Sequence, residues 1–139
     1  MAKFILKHPV ITVNSVDLTG RCSAVTVETT FDEVDLTAFC SDFREMGQGP
    51  GDATVTATFF QDFAAAQVDA TLWPLLQSGG TFDVVVRSGS EAVSGSNPKY
   101  TMTSRLFSYS PIAGAYGDAS TTDVSFRNAG TAGLVRGTA

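Results

Sequence analysis

The chain has 139 residues, of which 43 % are apolar and 17 % are charged, a composition typical of one folded domain and unlike that of a disordered chain. Nine basic and fourteen acidic residues give a formal net charge of -5, which argues against a surface built to bind nucleic acid. The apolar run near the N-terminus is too short for the core of a signal peptide, and no later stretch is long enough to span a bilayer, so we expect no membrane partner.

Two short apolar runs, residues 4–6 and 10–13, predict the first strands of the domain. Asn14 and Ser15 then predict a tight reversal between paired segments, with Ser in place of the more favourable Gly. Residues 22–30 alternate between apolar and polar side chains, as a half-buried strand does. This third strand is therefore expected to be a long one.

Residues 31–52 are the hardest stretch to interpret, because residues 33–38 fit a strand while residues 41–46 fit a turn of helix. The segment ends in the glycine-rich residues 47–51, which we interpret as a turn because repeated glycine and a proline break regular elements. A connection of this length inside a compact domain is usually functional. We therefore predict an interaction loop at residues 31–52, and the sequence leaves open whether it is a hairpin or an irregular loop.

Residues 53–87 predict a strand, a helix and a second strand. Residues 53–60 alternate with a period of two. The alternation stops at Asp62, which is placed to cap a helix that we expect to begin there. Gly79 and Gly80 supply the positive φ angles that a helix C-cap and a following turn require, and residues 81–87 resume the strand pattern.

On a helical wheel, residues 61–77 have two apolar faces instead of one. The first face consists of Phe63, Ala66, Ala70 and Trp73. The second face lies nearly opposite and consists of Ala65, Val68, Leu72, Leu75 and Leu76. A single domain offers one sheet face for a helix to cover, so we predict that four residues of the second face contact a neighbouring subunit: Val68, Leu72, Leu75 and Leu76. The alternative is a helix buried between two layers of the same domain.

The remaining segments predict an exposed, mobile loop at residues 88–98, strands at residues 100–107 and 121–128, and a flexible C-terminal tail at residues 130–139. Several short strands bounded by turns, with one helix inserted, are typical of a mainly β fold. We predict a single domain over residues 1–139 with two packed antiparallel sheets, as a sandwich or open barrel, and one flanking α-helix.

The sequence contains no recognisable catalytic or metal-binding motif. His8 is the single histidine, and no nucleophile-elbow motif accompanies it. Cys22 and Cys40 lack the paired spacing of a zinc site, and we expect both to be free thiols packed as small apolar groups. The acidic clusters lack the spacing of a calcium loop. We therefore expect no enzyme activity, no metal and no cofactor.

The layout of the chain resembles the major tail tube proteins of long-tailed, siphovirus-like bacteriophages. The resemblance runs through most of the sequence and rests on the following features: the N-terminal strand with the Asn14-Ser15 reversal, the long segment 31–52, the strand-helix-strand unit 53–87, Pro98-Lys99-Tyr100 at the start of a long strand, the Ser110-Pro111-Ile112-Ala113-Gly114 connection, and Val124-Ser125-Phe126 before a glycine-containing tail.

The resemblance implies a structural virion protein that assembles with itself into hexameric rings, which stack into a tube. Such a tube conducts DNA without binding it specifically, and other tail proteins close its ends. The resemblance also implies assembly in the host cytoplasm and a final location in the virion tail. In this family a long hairpin or loop reaches the next ring, and residues 31–52 match it in position and length. The candidates for this inter-ring contact are Phe31, Val34, Leu36, Phe39, Phe43 and Met46.

The acidic composition suits a conduit for DNA, because a lumen lined by negative charge repels phosphate. We expect polar strand faces to line that lumen, with candidates Glu28, Thr54, Thr56, Thr58 and Asp83. The alternative function is a virion decoration protein or a carbohydrate-binding β-sandwich, for which the candidate contact residues are the aromatic side chains of Trp73, Tyr109 and Tyr116.

Overall fold

The structure is a computed structural model that describes Lys3 and residues 5–138. Within these residues the chain forms one α-helix, α1 (Val68–Ser78), and eight strands: β1 (Val10–Val13), β2 (Val16–Asp17), β3 (Cys22–Asp35), β4 (Met46–Phe60), β5 (Phe82–Arg87), β6 (Lys99–Leu106), β7 (Thr121–Asn128) and β8 (Leu134–Gly137). A single 3-10 turn, Thr19–Arg21, connects β2 to β3. The α1 helix is not long and apolar enough to cross a membrane, and it is the one α-helix of the described residues.

All eight strands belong to one antiparallel sheet with the order β2-β1-β5-β6-β7-β4-β3, and β8 also pairs with β6. One side of β6 pairs with β5 from Lys99 to Ser104, while the other side pairs first with β8 and then with β7. The predicted antiparallel, mainly β fold with one helix is confirmed. Of the two predicted forms, this continuous hydrogen bonding matches the open barrel, because no break separates the strands into two sheets.

The core lies on one side of this sheet. Alternate residues of five strands and of α1 are buried, and Val13, Val84, Met102 and Phe126 are among those fully shielded from solvent. A helix of eleven residues is too small to cover the face of seven adjacent strands, so the sheet must curl over itself to bury them. The rings of Phe82 and Phe126 pack edge to face, with their centroids 5.9 Å apart.

The helix begins at Val68, six residues later than the sequence predicts. The reason is a local turn at Asp62, whose carboxylate accepts a hydrogen bond from the amide of Ala64 at 2.9 Å and another from Nε of Arg21 at 2.6 Å. Side chains of this type compete with helix formation when they bond to nearby amides. These contacts, the Ala64 amide first and Arg21 second, hold the pKa of Asp62 below its usual value. The C-terminus agrees with the prediction, since Gly79 adopts a φ of 65°.

The helix face predicted to contact a neighbouring subunit is turned into the core of its own subunit. Val68 and Leu72 are fully buried, and Leu75 and Leu76 are partly buried against the same core. The wheel identified two apolar faces but could not tell which one covers the sheet. The other face is the exposed one, with Trp73 46 % exposed.

The structure also corrects three smaller predictions. Residues 5–6 are not in a strand, and Phe4 lies outside the described residues. Four of the ten residues predicted to be a flexible tail form β8, because β7 covers only the last part of β6 and leaves Lys99 to Met102 free to pair. The loop at residues 88–98 is held by the buried side chain of Asn97, which bonds to Gly89, Glu91 and Ser88.

Leu72→Ala should lower the free energy of unfolding by about 2–5 kcal/mol, the usual cost of removing a buried leucine side chain. Trp73→Ala, on the exposed face of the same helix, should cost less. Urea denaturation of the two variants measures both changes. Equal losses, or a larger loss for Trp73→Ala, would contradict this orientation of α1.

Candidate assembly surfaces

The outer side of the sheet is polar from β3 to β5. Residues directly opposite each other in antiparallel strands share a face, and one such row runs from Glu28 through Thr54 and Arg127 to Arg105. We call this surface the polar face, and it consists of Thr26, Glu28, Asp52, Thr54, Thr56, Thr58, Asp83, Thr103, Arg105, Asp123, Ser125 and Arg127.

All five residues predicted to line a lumen lie on the polar face. Thr54, Thr56 and Thr58 alternate with buried residues of β4, and Glu28 lies opposite Thr54 in the pairing of β3 with β4. Asp83 lies on β5, opposite Thr103. The structure therefore brings the five residues together on one continuous surface.

The polar face carries charges of both signs, and Arg87 and Lys99, which lie opposite each other on β5 and β6, are on the same side of the sheet beside it. Several of its groups are paired: Thr58 donates to Asp123 at 2.7 Å, and Thr103 donates to Asp83 at 3.1 Å. Arg127 donates to Asp52 at 3.0 Å, with both side chains about half exposed, so this ion pair stabilises the fold by about 1 kcal/mol at most. The charged groups are two arginines, Arg105 and Arg127, and four carboxylates, Glu28, Asp52, Asp83 and Asp123.

Residues 31–51 form a hairpin that extends beyond the rest of the sheet, and we call it the arm. β7 pairs with β4 only from Thr54 onward, so before that point β4 has β3 as its single neighbour. The segment whose form the sequence left open is therefore a β-hairpin. Five carboxylates and one arginine, Arg44, give the arm a formal charge of -4, compared with -5 for the whole chain.

The glycine-rich residues 47–51 lie within β4, and the prediction of a turn there is wrong. A Cβ atom added to Gly51 would lie 2.6 Å from the ring of Phe31, and one added to Gly47 would lie 2.6 Å from Leu36. The glycines thus make room for large side chains of the facing strand. Pro50 is tolerated because β4 is paired on one side only in the arm.

The tip of the arm, residues 36–45, is hydrogen-bonded and yet exposes its aromatic side chains. The amide of Leu36 donates to Glu45 at 2.8 Å, and the amide of Glu45 donates to the Thr37 hydroxyl at 2.8 Å. Hydrogen bonds from the side chain and then the amide of Thr37 lower the pKa of Asp35. The six predicted inter-ring residues are all exposed, and the most exposed are Phe39 and Phe43.

Exposed aromatic residues also mark the opposite end of the sheet, which we call the base. Phe60 ends β4, and Phe107 follows β6; each lies on the polar side of its strand's alternation and is at least 44 % exposed. The connection after β6 is tied to this end by Gln61, which donates to Pro111 at 2.6 Å. These residues were not predicted from the sequence, although an aromatic residue at a position where the strand alternation calls for a polar one would have indicated them.

Among the aromatic residues considered for glycan binding, Tyr109 has its hydroxyl group engaged in hydrogen bonds within the chain. The hydroxyl of Tyr109 accepts a hydrogen bond from Gln61 at 2.8 Å and donates to Asp69 at 3.0 Å. Burial, the largest cause, raises the pKa of Tyr109 above its usual value. This side chain therefore links α1 to the loops of the base.

The two cysteines are free and lie at opposite ends of the molecule. Cys22 begins β3 at the base, where it is half-buried, whereas Cys40 lies in the tip of the arm and is exposed. The expectation that both pack as small apolar groups is therefore wrong for Cys40. Within Lys3 and residues 5–138, no group of three or more His, Cys, Asp or Glu side chains is arranged to hold a metal ion.

Comparison with known proteins gives no match to a protein-family model or to a curated protein. Solved structures match over nearly the whole chain. A chain from the virion of a native gene transfer agent particle is 16 % identical with a TM-score of 0.73, covering 92 % of this chain and 94 % of that chain. A chain from the tail of an empty particle of this type, determined with C6 symmetry, is 19 % identical with a TM-score of 0.71, covering 94 % and 95 %.

The tail tube of SPP1 gives a third match, 9 % identical with a TM-score of 0.71, covering 95 % of this chain and 76 % of that chain. At these identities the likeness is one of fold. The chain therefore has the fold found in these tail assemblies, as the resemblance in the sequence predicted.

Gly51→Val should push the Phe31 ring out of its place beside β4 and loosen the arm. We expect faster amide hydrogen exchange at residues 31–35 and unchanged exchange in the core strands, because the three atoms nearest to an added Cβ all belong to the ring of Phe31. Gly20→Val is the control, since a Cβ added to Gly20 has no atom within 4 Å among its described surroundings. Unchanged exchange in the arm of Gly51→Val would contradict this packing.

Proposed function

We propose that this chain is the structural subunit of a tail tube, and not an enzyme. Six copies form a ring, rings stack into a tube, and the tube conducts DNA without binding it specifically. The observation that carries this proposal is the likeness in fold, over more than nine-tenths of the chain, to a chain of a tail determined with C6 symmetry and to the SPP1 tail tube. In this proposal the protein assembles in the host cytoplasm, resides in the virion tail and meets other tail proteins at the tube ends.

Ring formation would use the free edge of β3. This strand of fourteen residues ends the sheet, so its outer row of amide and carbonyl groups has no partner strand within the described chain. A long free edge readily pairs with another chain. Pairing each β3 edge with a neighbouring copy would continue the sheet around a ring, and six such contacts of one kind close a ring of six.

The polar face would then line the lumen. The α1 helix packs against the core side of the sheet, so when the helix faces outward the polar face points inward. The four carboxylates of the polar face would place negative charge along the lumen, which repels DNA phosphates and lets DNA pass. The arm, with its aromatic tip, would make the contact along the tube axis.

The double substitution Phe39→Ser and Phe43→Ser should abolish tubes and leave the subunit folded. Both side chains are exposed in the single subunit, so the free energy of unfolding should change by no more than about 0.5 kcal/mol. Negative-stain microscopy measures tube formation, and urea denaturation measures the fold. Tubes of normal length from this variant would contradict a contact role for the arm tip, and a wild-type protein that stays monomeric at high concentration would contradict the proposed function.

Thr56→Cys, made in a chain with Cys22→Ser and Cys40→Ser, tests whether the polar face points into the lumen. In assembled tubes a small maleimide should still label position 56, but a maleimide attached to a globular protein should not, because the latter cannot enter the lumen. Before assembly both reagents should react, since Thr56 is exposed.

The matched control is Gln77→Cys in the same background, at an exposed position of α1. It should react with both reagents before and after assembly. Labelling of position 56 by the bulky reagent in intact tubes would show that the polar face does not line the lumen.

A further inference from the structure

A groove lies at the base, beside the start of β3 and therefore at the opposite end of this strand from the arm. It is formed between the segment before β1 and the start of β3, and its cavity of about 350 Å³ is lined by residues that include Lys7, Val10, Ile11, Cys22 and Val25. A second cavity of about 170 Å³ shares Lys7, Cys22 and Val25 with the first and adds Leu6. We call the two together the N-terminal groove.

The arm of one subunit cannot reach its own N-terminal groove. Cys22 and Asp35 are the first and last residues of β3, and thirteen steps of about 3.3 Å separate the groove from the arm tip by roughly 40 Å. The β3–β4 pairing holds the arm extended along this direction. A partner for the groove must therefore come from another molecule.

The N-terminal groove and the arm tip are chemically complementary. Much of the lining of the groove is apolar, with Val10, Ile11 and Val25, and Lys7 is also part of the lining. The tip presents two exposed aromatic rings, and Asp42 and Arg44 flank Phe43, with Glu45 next, so that carboxylates outnumber the single arginine within an arm of charge -4. A cavity near 350 Å³ is at the lower end of the roughly 300–1,000 Å³ typical of pockets that hold small ligands, a size that suits an aromatic side chain. Opposite charges at the rim orient such a contact.

We propose that the arm tip of one subunit docks into the N-terminal groove of a second copy of this chain, with Phe39 and Phe43 against its apolar lining and Asp42 and Glu45 near Lys7. This inference rests on the proposed function and names the contact that joins one ring to the next. The two surfaces differ and lie at opposite ends of the subunit, so each copy gives one tip and receives another. A contact of this kind continues without closing and produces an open-ended filament.

Cross-linking within assembled tubes tests this docking. The native Cys40 lies beside Phe39 in the tip, and Ser90 lines the groove on a loop held by Asn97. Cys22 is unsuitable as the second thiol, because burial raises its pKa; it is replaced by Cys22→Ser. Tubes of Cys22→Ser with Ser90→Cys are treated with a short bis-maleimide and separated on a denaturing gel. We expect a ladder of dimers, trimers and longer chains, because each subunit carries one thiol of each kind.

The matched control is Thr131→Cys in the same Cys22→Ser chain, an exposed position at the arm end of the sheet. It should give no ladder, and adding Cys40→Ser to the Ser90→Cys chain should remove the ladder. Tubes that form but yield no ladder, dimers alone, or an equal ladder from Thr131→Cys would overturn the docking while leaving the tube proposal intact. Failure of every variant and of the wild type to form tubes would overturn both.

Discussion

The pairing of β3 with β4 is the constraint on which the rest of the structure depends. These two strands form a hairpin of fourteen and fifteen residues, and its register is continuous from the base to the arm apart from two irregular positions. Near the base, β4 buries Val55 and Phe59 and supplies the threonines of the polar face. Because side chains alternate along a strand, a shift of one residue would move the threonines into the core and the apolar residues to the surface.

The same hairpin combines one half that is packed against the core with another half that exposes apolar side chains. Its base half is fixed by core packing on one side and by β7 at the edge, so the arm extends from a rigid support. The arm itself has no core. It is held by cross-strand hydrogen bonds and by Phe31, Val34 and Leu36 lying over the glycines of β4. Apolar side chains can then remain exposed without loss of the fold.

The negative charge of the arm opposes contact between two arms. Exposed aromatic residues on an arm would favour association of two arms, but a formal charge of -4 on each arm opposes it, since like charges brought together lose free energy. The remainder of the chain carries nearly balanced charge and offers basic groups such as Lys7. Contact between two arms is therefore disfavoured relative to contact between an arm and the rest of another molecule.

The sequence by itself determined the elements whose signal is local. Strict alternation identified residues 53–60 of β4 and the strands β5, β6 and β7, and it placed Thr54, Thr56, Thr58 and Asp83 on the side away from the core, because the period of a strand is fixed by backbone geometry. Gly79 ended the helix as predicted, since glycine, which lacks a Cβ atom, adopts a positive φ without steric cost. The exposed apolar residues of the arm were also visible in the sequence as candidates.

Only the tertiary structure decided the remaining features. The helical wheel does not determine which apolar face of α1 is buried, because that depends on the path of the chain from β4 and on the turn at Asp62. The glycines of residues 47–51, which were predicted to form a turn, are strand residues. The side chains of Phe31 and Leu36 on the partner strand occupy the space that side chains at Gly51 and Gly47 would need. The groove beside Lys7 and its distance from the arm tip follow from how the sheet curls, a property of many strands together that no single segment of sequence encodes.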